Sequence, residues 1–217
     1  MKIKVDKYKV FCKKRQREFE ILVFEPPRHM WAYDDFPEED LLAIDGDKDA
    51  YKLLKYAYAI LAQDPSKIIY FAIADQGIGA YYAHDCNLVL VRPELQFRYS
   101  DWYQIKPKLD KKHWAGKYTY NYNKQKLVDY YYHLEKDWYT PGEIKRAQEI
   151  AKEEILGDTV FMTVPQIDCY ENHCQIVEML EKYRRNRQSY WRQGWLLSDR
   201  NIREMYEEVK KSEKRAQ

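Results

Sequence analysis

The sequence predicts an α+β fold, in which a mostly antiparallel sheet with one helix precedes a mainly helical carboxyl-terminal half. Alternating or continuously apolar runs of strand length recur through residues 1–92. After residue 123, apolar residues recur at helical spacing instead. Because no Gly- or Ser-rich linker separates residues 1–92 from residues 93–217, we expect the β-rich part and the mainly helical part to form one compact unit.

The first two strands are predicted on either side of a charged turn. Ile3 and Val5 alternate with lysines, which is the pattern of a half-buried strand. The charged sequence KKRQRE then separates this strand from a second apolar run at 19–24, which ends before Pro26. These two runs are the first indication of a sheet.

A helix and three strands complete the prediction for the amino-terminal part. The acidic segment 30–49 is expected to be irregular, and Asp47 or Asp49 at its end can cap a helix that runs to about Gln63. The continuously apolar run IIYFAIA is typical of a central strand. The sequences AYYAH and NLVLV predict two further strands around the turn HDCN.

Helices are predicted through most of the second half, with one short strand at VFMTV. Residues 93–122 show no clear pattern. The sequence TPGE has the cap, the proline and the glutamate of a helix start, so it predicts a helix over 140–157. Two more helices are expected from Asp168 and Ser198. A stripe at helical spacing comprises Leu127, Tyr131, Leu134 and Trp138.

Composition indicates a cytoplasmic protein. The first residues contain no apolar run typical of a signal peptide, and no window approaches the length of a membrane span. The cysteines are scattered without CxxC pairs, so free thiols in a reducing compartment are expected. The net charge of +2 gives no general argument for nucleic acid as a partner.

Charge is nevertheless uneven along the chain. Residues 1–17 carry eight Lys or Arg and one acid, residues 34–49 carry eight acids and one base, and residues 182–193 carry five bases and no acid. Such patches can bind partners even though the total charge is nearly balanced.

A metal site is conceivable but not expected. Cys169 and His173 are four residues apart on a predicted helix, and His84 and Cys86 would have to supply the remaining zinc ligands. Zinc motifs usually occur as two tight pairs, so the simpler interpretation places Cys169 and His173 on a packed helix face. We therefore predict neither a metal nor another cofactor.

The sequence KYRRNRQSYWRQGW at 182–195 is the strongest candidate for binding. Arginines bind phosphates and carboxylates bidentately, and Arg and Trp are frequent anchors of protein interfaces. Three alternatives are open. The segment binds a protein, it binds nucleic acid, or it binds no partner because its tryptophans lie in the core and its arginines are solvated. The candidate residues in this segment are Arg184, Arg185, Arg187, Trp191, Arg192 and Trp195.

Tyrosines and carboxylates provide two further candidate contacts. Tyr118, Tyr120 and Tyr122 alternate with polar residues, so an extended segment would point their side chains the same way. Tyr130 and Tyr132 flank a helical stripe and are expected to be half-buried. The acidic segment offers a second contact, which could also mimic phosphate or bind a divalent metal, through Asp34, Asp35, Glu38, Glu39 and Asp40.

No sequence motif indicates an enzyme. Gly77-Ile78-Gly79 is too short for a dinucleotide-binding motif, and no Walker, GxSxG, HExxH or kinase signature is present. We therefore expect a non-catalytic binding protein that docks on a protein or ribonucleoprotein. Its size, Lys- and Tyr-rich composition and lack of enzyme motifs are similar, by analogy only, to those of phage or plasmid accessory proteins such as the anti-CRISPR inhibitors.

Two other functions remain open at the level of sequence. One is direct binding of single-stranded DNA or RNA through residues 102–126 and 182–195, which contain both basic and aromatic residues. The other is a metal-dependent nuclease or hydrolase that uses the acidic segment 34–49.

Overall fold

The chain forms an α+β fold. The computed structural model describes residues 2–27, 30–36, 41–46, 48–74, 86–138, 152–156 and 158–185. Its strands are β1 (Lys2–Cys12), β2 (Arg17–Phe24), β3 (Met30–Phe36), β4 (Leu41–Gly46), β5 (Lys67–Phe71), β6 (Asn87–Val91), β7 (Trp114–Asn121), β8 (Lys152–Leu156) and β9 (Thr159–Thr163). Its α-helices are α1 (Lys48–Gln63), α2 (Tyr99–Ile105), α3 (Lys124–Trp138) and α4 (Gln166–Arg185).

A seven-stranded mixed sheet organises the molecule, in the order β7-β1-β2-β5-β6-β9-β8. Neighbours pair antiparallel except for β2 with β5 and β6 with β9, which are parallel. Strands from residues 1–92 and from residues 93–217 therefore share one sheet. β7 extends the sheet beside β1, and β8 and β9 extend it beside β6.

The central strands are the most apolar. β5 lies between β2 and β6, and Ile68, Ile69 and Phe71 have no exposed surface. All five residues of β6 are buried. The central strand expected from the run IIYFAIA is confirmed, because a strand covered on both faces must present apolar side chains at every position.

One face of the sheet is covered by α1, α3 and α4. The helix predicted to end at Gln63 is confirmed, and Leu54, Ala57, Ile60 and Leu61 are fully buried against the sheet. The guanidinium of buried Arg92, just after β6, donates from Nη1 to the carbonyl of Leu61 at 3.0 Å. This bond satisfies a carbonyl in the last turn of α1, where the helix itself provides no donor.

The opposite face is covered by α2 and the segment before it. Trp102 and Ile105 of α2 are buried with Phe97 against strand residues that include Ile21 and Tyr70. The rings of Tyr70 and Trp102 lie 4.7 Å apart, and those of Phe19 and Phe97 lie 4.8 Å apart in an edge-to-face arrangement. Aromatic contact therefore fixes α2 on the sheet.

Three sequence-based predictions are wrong. The acidic segment contains the antiparallel hairpin β3–β4, since main-chain pairing tolerates charged side chains on a two-stranded ribbon. Residues 152–156 form strand β8, although a helix was expected to Gly157, because pairing with β9 overrides helical spacing. The second half contributes β7, β8 and β9 rather than one strand.

Candidate functional site

Most of the predicted arginine and tryptophan anchors lie outside the described residues. Arg184 and Arg185 occupy the last turn of α4, with only their backbone described. The rest of this set, Arg187, Trp191, Arg192 and Trp195, lies beyond the described part of the chain. Their role as partner contacts stays a prediction.

The acidic contact is described only in part. Asp34 and Asp35 belong to β3, and Asp34 is paired with Leu42 of β4. Glu38, Glu39 and Asp40 lie outside the described residues. Within the part of the chain that the structure describes, no group of three or more His, Cys, Asp or Glu is placed to hold a metal ion.

The three alternating tyrosines do share one side of the sheet, and this side is the one that packs against the helices. Tyr120 is 7% exposed, and Tyr118 and Tyr122 are half-buried against the same core. The hydroxyl of Tyr120 donates to Gln63 Oε1 at 2.9 Å and lies 3.3 Å from the carbonyl oxygen of Ala59. Burial raises the pKa of Tyr120 above its usual range.

Tyr122 connects the end of β7 to a buried histidine of α4. Its hydroxyl lies 3.0 Å from Nε2 of His173, which has no exposed surface. Burial, with Lys55 and Lys124 nearby, lowers the pKa of His173 to about 4, so the ring is neutral at pH 7. The ammonium of Lys55 lies 4.9 Å from the centre of the Tyr122 ring, and burial lowers its pKa as well.

The helix face that carries Cys169 and His173 is packed. Cys169 is fully buried, and its thiol lies 3.8 Å from the carbonyl oxygen of Val164. Burial raises the pKa of Cys169, which keeps the thiol protonated. Cys86 is buried with the same core, whereas His84 lies outside the described residues. The four cysteines are free thiols, as expected.

The fold brings together two distant basic segments, which the sequence indicated separately as the basic patch at 1–17 and part of the candidate region 102–126 without showing that they meet. The turn between β1 and β2, with the sequence KKRQR at 13–17, has four basic residues and no acidic one. The sequence QIKPKLDKK at 104–112, between α2 and β7, has four bases and one acid. We call the following residues the basic surface: Lys13, Lys14, Arg15, Arg17, Lys108, Lys111 and Lys112.

Five contacts join the end of β1 and the turn after it to α2 and the chain that follows α2. The ammonium of Lys108 donates to the carbonyl of Phe11 at 3.2 Å, and the amide of Lys9 donates to the carbonyl of His113 at 3.0 Å. Lys14 Nζ donates to Ser100 Oγ at 2.9 Å. Two further contacts join Arg15 to Asp101 and Cys12 to Gln104. The turn therefore lies against α2 and the chain that follows it.

Asp101 binds both the turn and the start of α2. Its carboxylate has no exposed surface, and Oδ2 accepts from Nε and Nη2 of Arg15, both at 2.9 Å. The same oxygen accepts from the amide of Arg98 at 3.0 Å, at the start of α2. One carboxylate thus caps α2 and orients the β1–β2 turn.

Large aromatic side chains are exposed on α2, at the end of β1 and at the start of β7. Tyr103 is 72% exposed, Trp114 is 50% exposed and Phe11 is 49% exposed. Tyr103 lies one turn after Ser100, so the ring is on the helix face that Lys14 reaches. Trp114 Nε1 donates to Asp6 Oδ1 at 2.8 Å.

A second concave region opens between α1, α3 and α4. This groove has a volume of about 960 Å³, and its walls include Gln63, Tyr130 and Tyr170. The rings of Tyr130 and Tyr170 lie 4.9 Å apart, and Tyr130 is 43% exposed. Tyr130 and Tyr132, at 48%, are more exposed than the half-buried positions expected for them. The lining of the groove is mixed, with polar side chains that include Asp129 and His133 beside the two tyrosines.

Comparison with known proteins gives no match. No protein-family model, curated protein or solved structure is similar to this chain. None of the described helices is both long and apolar enough to cross a membrane. The geometry of the described residues is therefore the basis for a functional proposal.

Proposed function

We propose that the protein is a non-catalytic, cytoplasmic binding protein that docks on a protein or ribonucleoprotein partner. The proposal includes a mainly helical carboxyl-terminal half whose arginine and tryptophan anchors provide one contact. It also includes the analogy with phage or plasmid inhibitors of nucleic-acid-directed defence.

The observation that carries this proposal is the exposure of two large aromatic rings, that of Tyr103 beside the basic surface and that of Phe11 at the end of β1. Phe11 is 49% exposed and Tyr103 is 72% exposed. Other aromatic side chains of the chain are buried on both faces of the sheet, so these two rings differ from them in being open to solvent. Exposed rings beside charged side chains are typical of binding surfaces, because the rings contribute large apolar area at little conformational cost. Asp101 holds the surface in place before any partner binds.

Affinity capture with the full chain tests the proposal. The double variant Phe11→Ala/Tyr103→Ala removes the exposed ring beside the basic surface and the exposed ring at the end of β1. The matched control, Tyr130→Ala/Tyr132→Ala, removes two rings of comparable exposure from α3. Material captured from host cells would be identified by mass spectrometry and nucleic-acid sequencing. We expect the first variant to lose a partner that the control retains.

The carboxyl-terminal anchors need a separate variant. Substituting Arg184, Arg185, Arg187 and Arg192 together by Gln should weaken capture of the same partner, because each removes a bidentate donor. Equal capture by the wild-type chain and by both surface variants would contradict the proposed function.

A further inference from the structure

Within the described part of the chain, most cations of the basic surface have no carboxylate partner. No ion pair among the described residues joins a carboxylate to Lys13, Arg17, Lys111 or Lys112. The guanidinium of Arg17 lies instead 4.5 Å from the centre of the Phe19 ring. The described carboxylates therefore do not neutralise these four cations.

The acids in this region are already engaged. Asp101 is buried and bound by Arg15. Asp110 accepts from the amide of Lys112 at 2.8 Å and lies 2.9 Å from Nδ1 of His113, which lowers its pKa. Glu18 pairs with Lys9 at 3.4 Å. The positive potential of the two basic segments is therefore only weakly neutralised by the described part of the chain.

The residue types favour phosphate over a protein carboxylate as the ligand. Lysine is depleted at protein–protein interfaces, whereas lysine and arginine supply the phosphate contacts of nucleic-acid-binding proteins. Five of the seven residues of the basic surface are lysines. An exposed ring beside such cations is the other component of single-strand binding, since every base can stack on it.

We infer that the basic surface binds the phosphate backbone of single-stranded nucleic acid and that the ring of Tyr103 stacks on a base. This inference rests on the proposed function, because it names the component of a ribonucleoprotein partner that this surface contacts. The contact does not depend on base sequence, since neither lysine nor a stacked ring distinguishes one base from another.

Binding of the purified full chain to labelled oligothymidine of about 30 nucleotides tests the inference by fluorescence anisotropy. About four phosphate contacts give a slope near −3 for the logarithm of the association constant against the logarithm of salt concentration. The affinity should therefore fall about 60-fold between about 50 and 200 mM salt.

A charge-reversal variant locates the contact. The variant Lys13→Glu/Arg17→Glu/Lys111→Glu/Lys112→Glu should reduce the affinity at low salt at least about 100-fold and flatten the salt dependence. The matched control, Lys2→Glu/Lys4→Glu/Lys48→Glu/Lys126→Glu, changes net charge equally at exposed lysines elsewhere. The control should retain most of the affinity. Equal loss in both variants would mean that net charge alone governs binding, and would overturn the inference.

Substitutions of Tyr103 test the stacking step without altering charge. Tyr103→Ala should weaken binding about 5- to 100-fold, whereas Tyr103→Phe should bind like the wild type. Because this side chain is largely exposed, both variants should fold. If Tyr103→Ala binds normally and polyglutamate competes as well as the oligonucleotide, the surface binds an acidic protein instead and the inference is wrong.

The inference and the proposed function can fail separately. If the charge-reversal variant still captures a protein partner from cells while no chain binds oligothymidine, the inference fails and the proposed function stands. If oligothymidine binds as expected while capture is unaffected by every surface variant, docking on a protein or ribonucleoprotein fails instead.

Discussion

The three alternating tyrosines have a clear sequence pattern but are largely buried, whereas the basic surface has no sequence motif but is exposed. Tyr118, Tyr120 and Tyr122 form a conspicuous pattern, yet Tyr120 is only 7% exposed and its hydroxyl bonds to α1. The basic surface has no motif, yet four of its five lysines are exposed and Tyr103 beside it is 72% exposed. The tyrosines lie on a covered face of the sheet, whereas the basic surface lies on a turn and a connecting segment, so exposure and not composition distinguishes the surface proposed for binding.

The largest contrast is expected from one chemical change made at both regions. Tyr120→Ala removes a buried ring and its hydrogen bond, and should lower the free energy of unfolding by about 3–5 kcal/mol. Tyr103→Ala, the same change at an exposed position, should lower it by less than about 0.5 kcal/mol. Urea denaturation measures both values. Equal losses would show that the two tyrosines are not in different environments.

The next effect concerns the carboxylate that fixes the basic surface. Asp101→Asn removes the charge that accepts from Arg15 and should destabilise the fold by about 2 kcal/mol, because hydrogen bonds to a buried charge are lost. Glu18→Gln, in an exposed ion pair with Lys9, is the control and should cost less than about 0.5 kcal/mol. A small effect of Asp101→Asn on thermal stability would mean that the turn is held by its other contacts.

A third effect is confined to the tyrosine side and depends on pH. The pKa of His173 is about 4 in the folded chain, against an ordinary 6.5. The unfolded chain therefore binds the proton more tightly, and stability is complete above about pH 6.5 and decreases as the pH falls towards 4. Between pH 7 and pH 5 we expect a loss of about 2 kcal/mol, which levels off below pH 4.

Denaturation of two variants across this range checks the assignment to His173. His173→Phe should flatten this part of the pH profile, although it also alters the contact with Tyr122. Tyr122→Phe keeps the histidine and should keep the slope. If stability still decreases from pH 7 to pH 5 in His173→Phe, the group that binds the proton is not His173.

The smallest effect on stability is expected at the basic surface. Charge reversal at Lys13, Arg17, Lys111 and Lys112 should change the melting temperature little, since each exposed side chain contributes less than about 0.5 kcal/mol. The same variant should abolish salt-dependent binding of oligothymidine. Strong destabilisation of this variant, measured by calorimetry, would show that these side chains serve the fold instead of a partner.

The core of the fold was predictable where burial leaves a local pattern. Continuous apolar runs identified β5 and β6, because both faces of a central strand are covered. β7 gave no such pattern, since it lies at the sheet edge with Trp114 and Thr119 exposed. A bulge between the residues paired with Asp6 and Tyr8, where Gly116 has a φ of +93°, also breaks the alternation.

The basic surface could not be predicted because it is made by long-range packing. Arg15 and Asp101 are 86 residues apart in the chain, and no local spacing shows that they meet. The excess of basic residues in 1–17 was visible, and residues 102–126 were a candidate for strand binding, but nothing in the sequence showed that the two segments lie side by side. For the tyrosines, the sequence predicted a shared direction correctly and could not show that this direction is towards α1 and α4.

The pairing of β1 with β7 has a consequence for how the chain is made. Asp6 and Lys117 form an ion pair although they are 111 residues apart in the chain. At the usual rate of synthesis, β7 therefore leaves the ribosome roughly ten seconds after β1, and one edge of β1 is unpaired during that time. An unpaired strand edge is a template for aggregation, and lysines along an edge oppose it. β1 carries Lys2, Lys4, Lys7 and Lys9. We therefore expect these lysines to oppose aggregation of the nascent chain during the interval before β7 emerges.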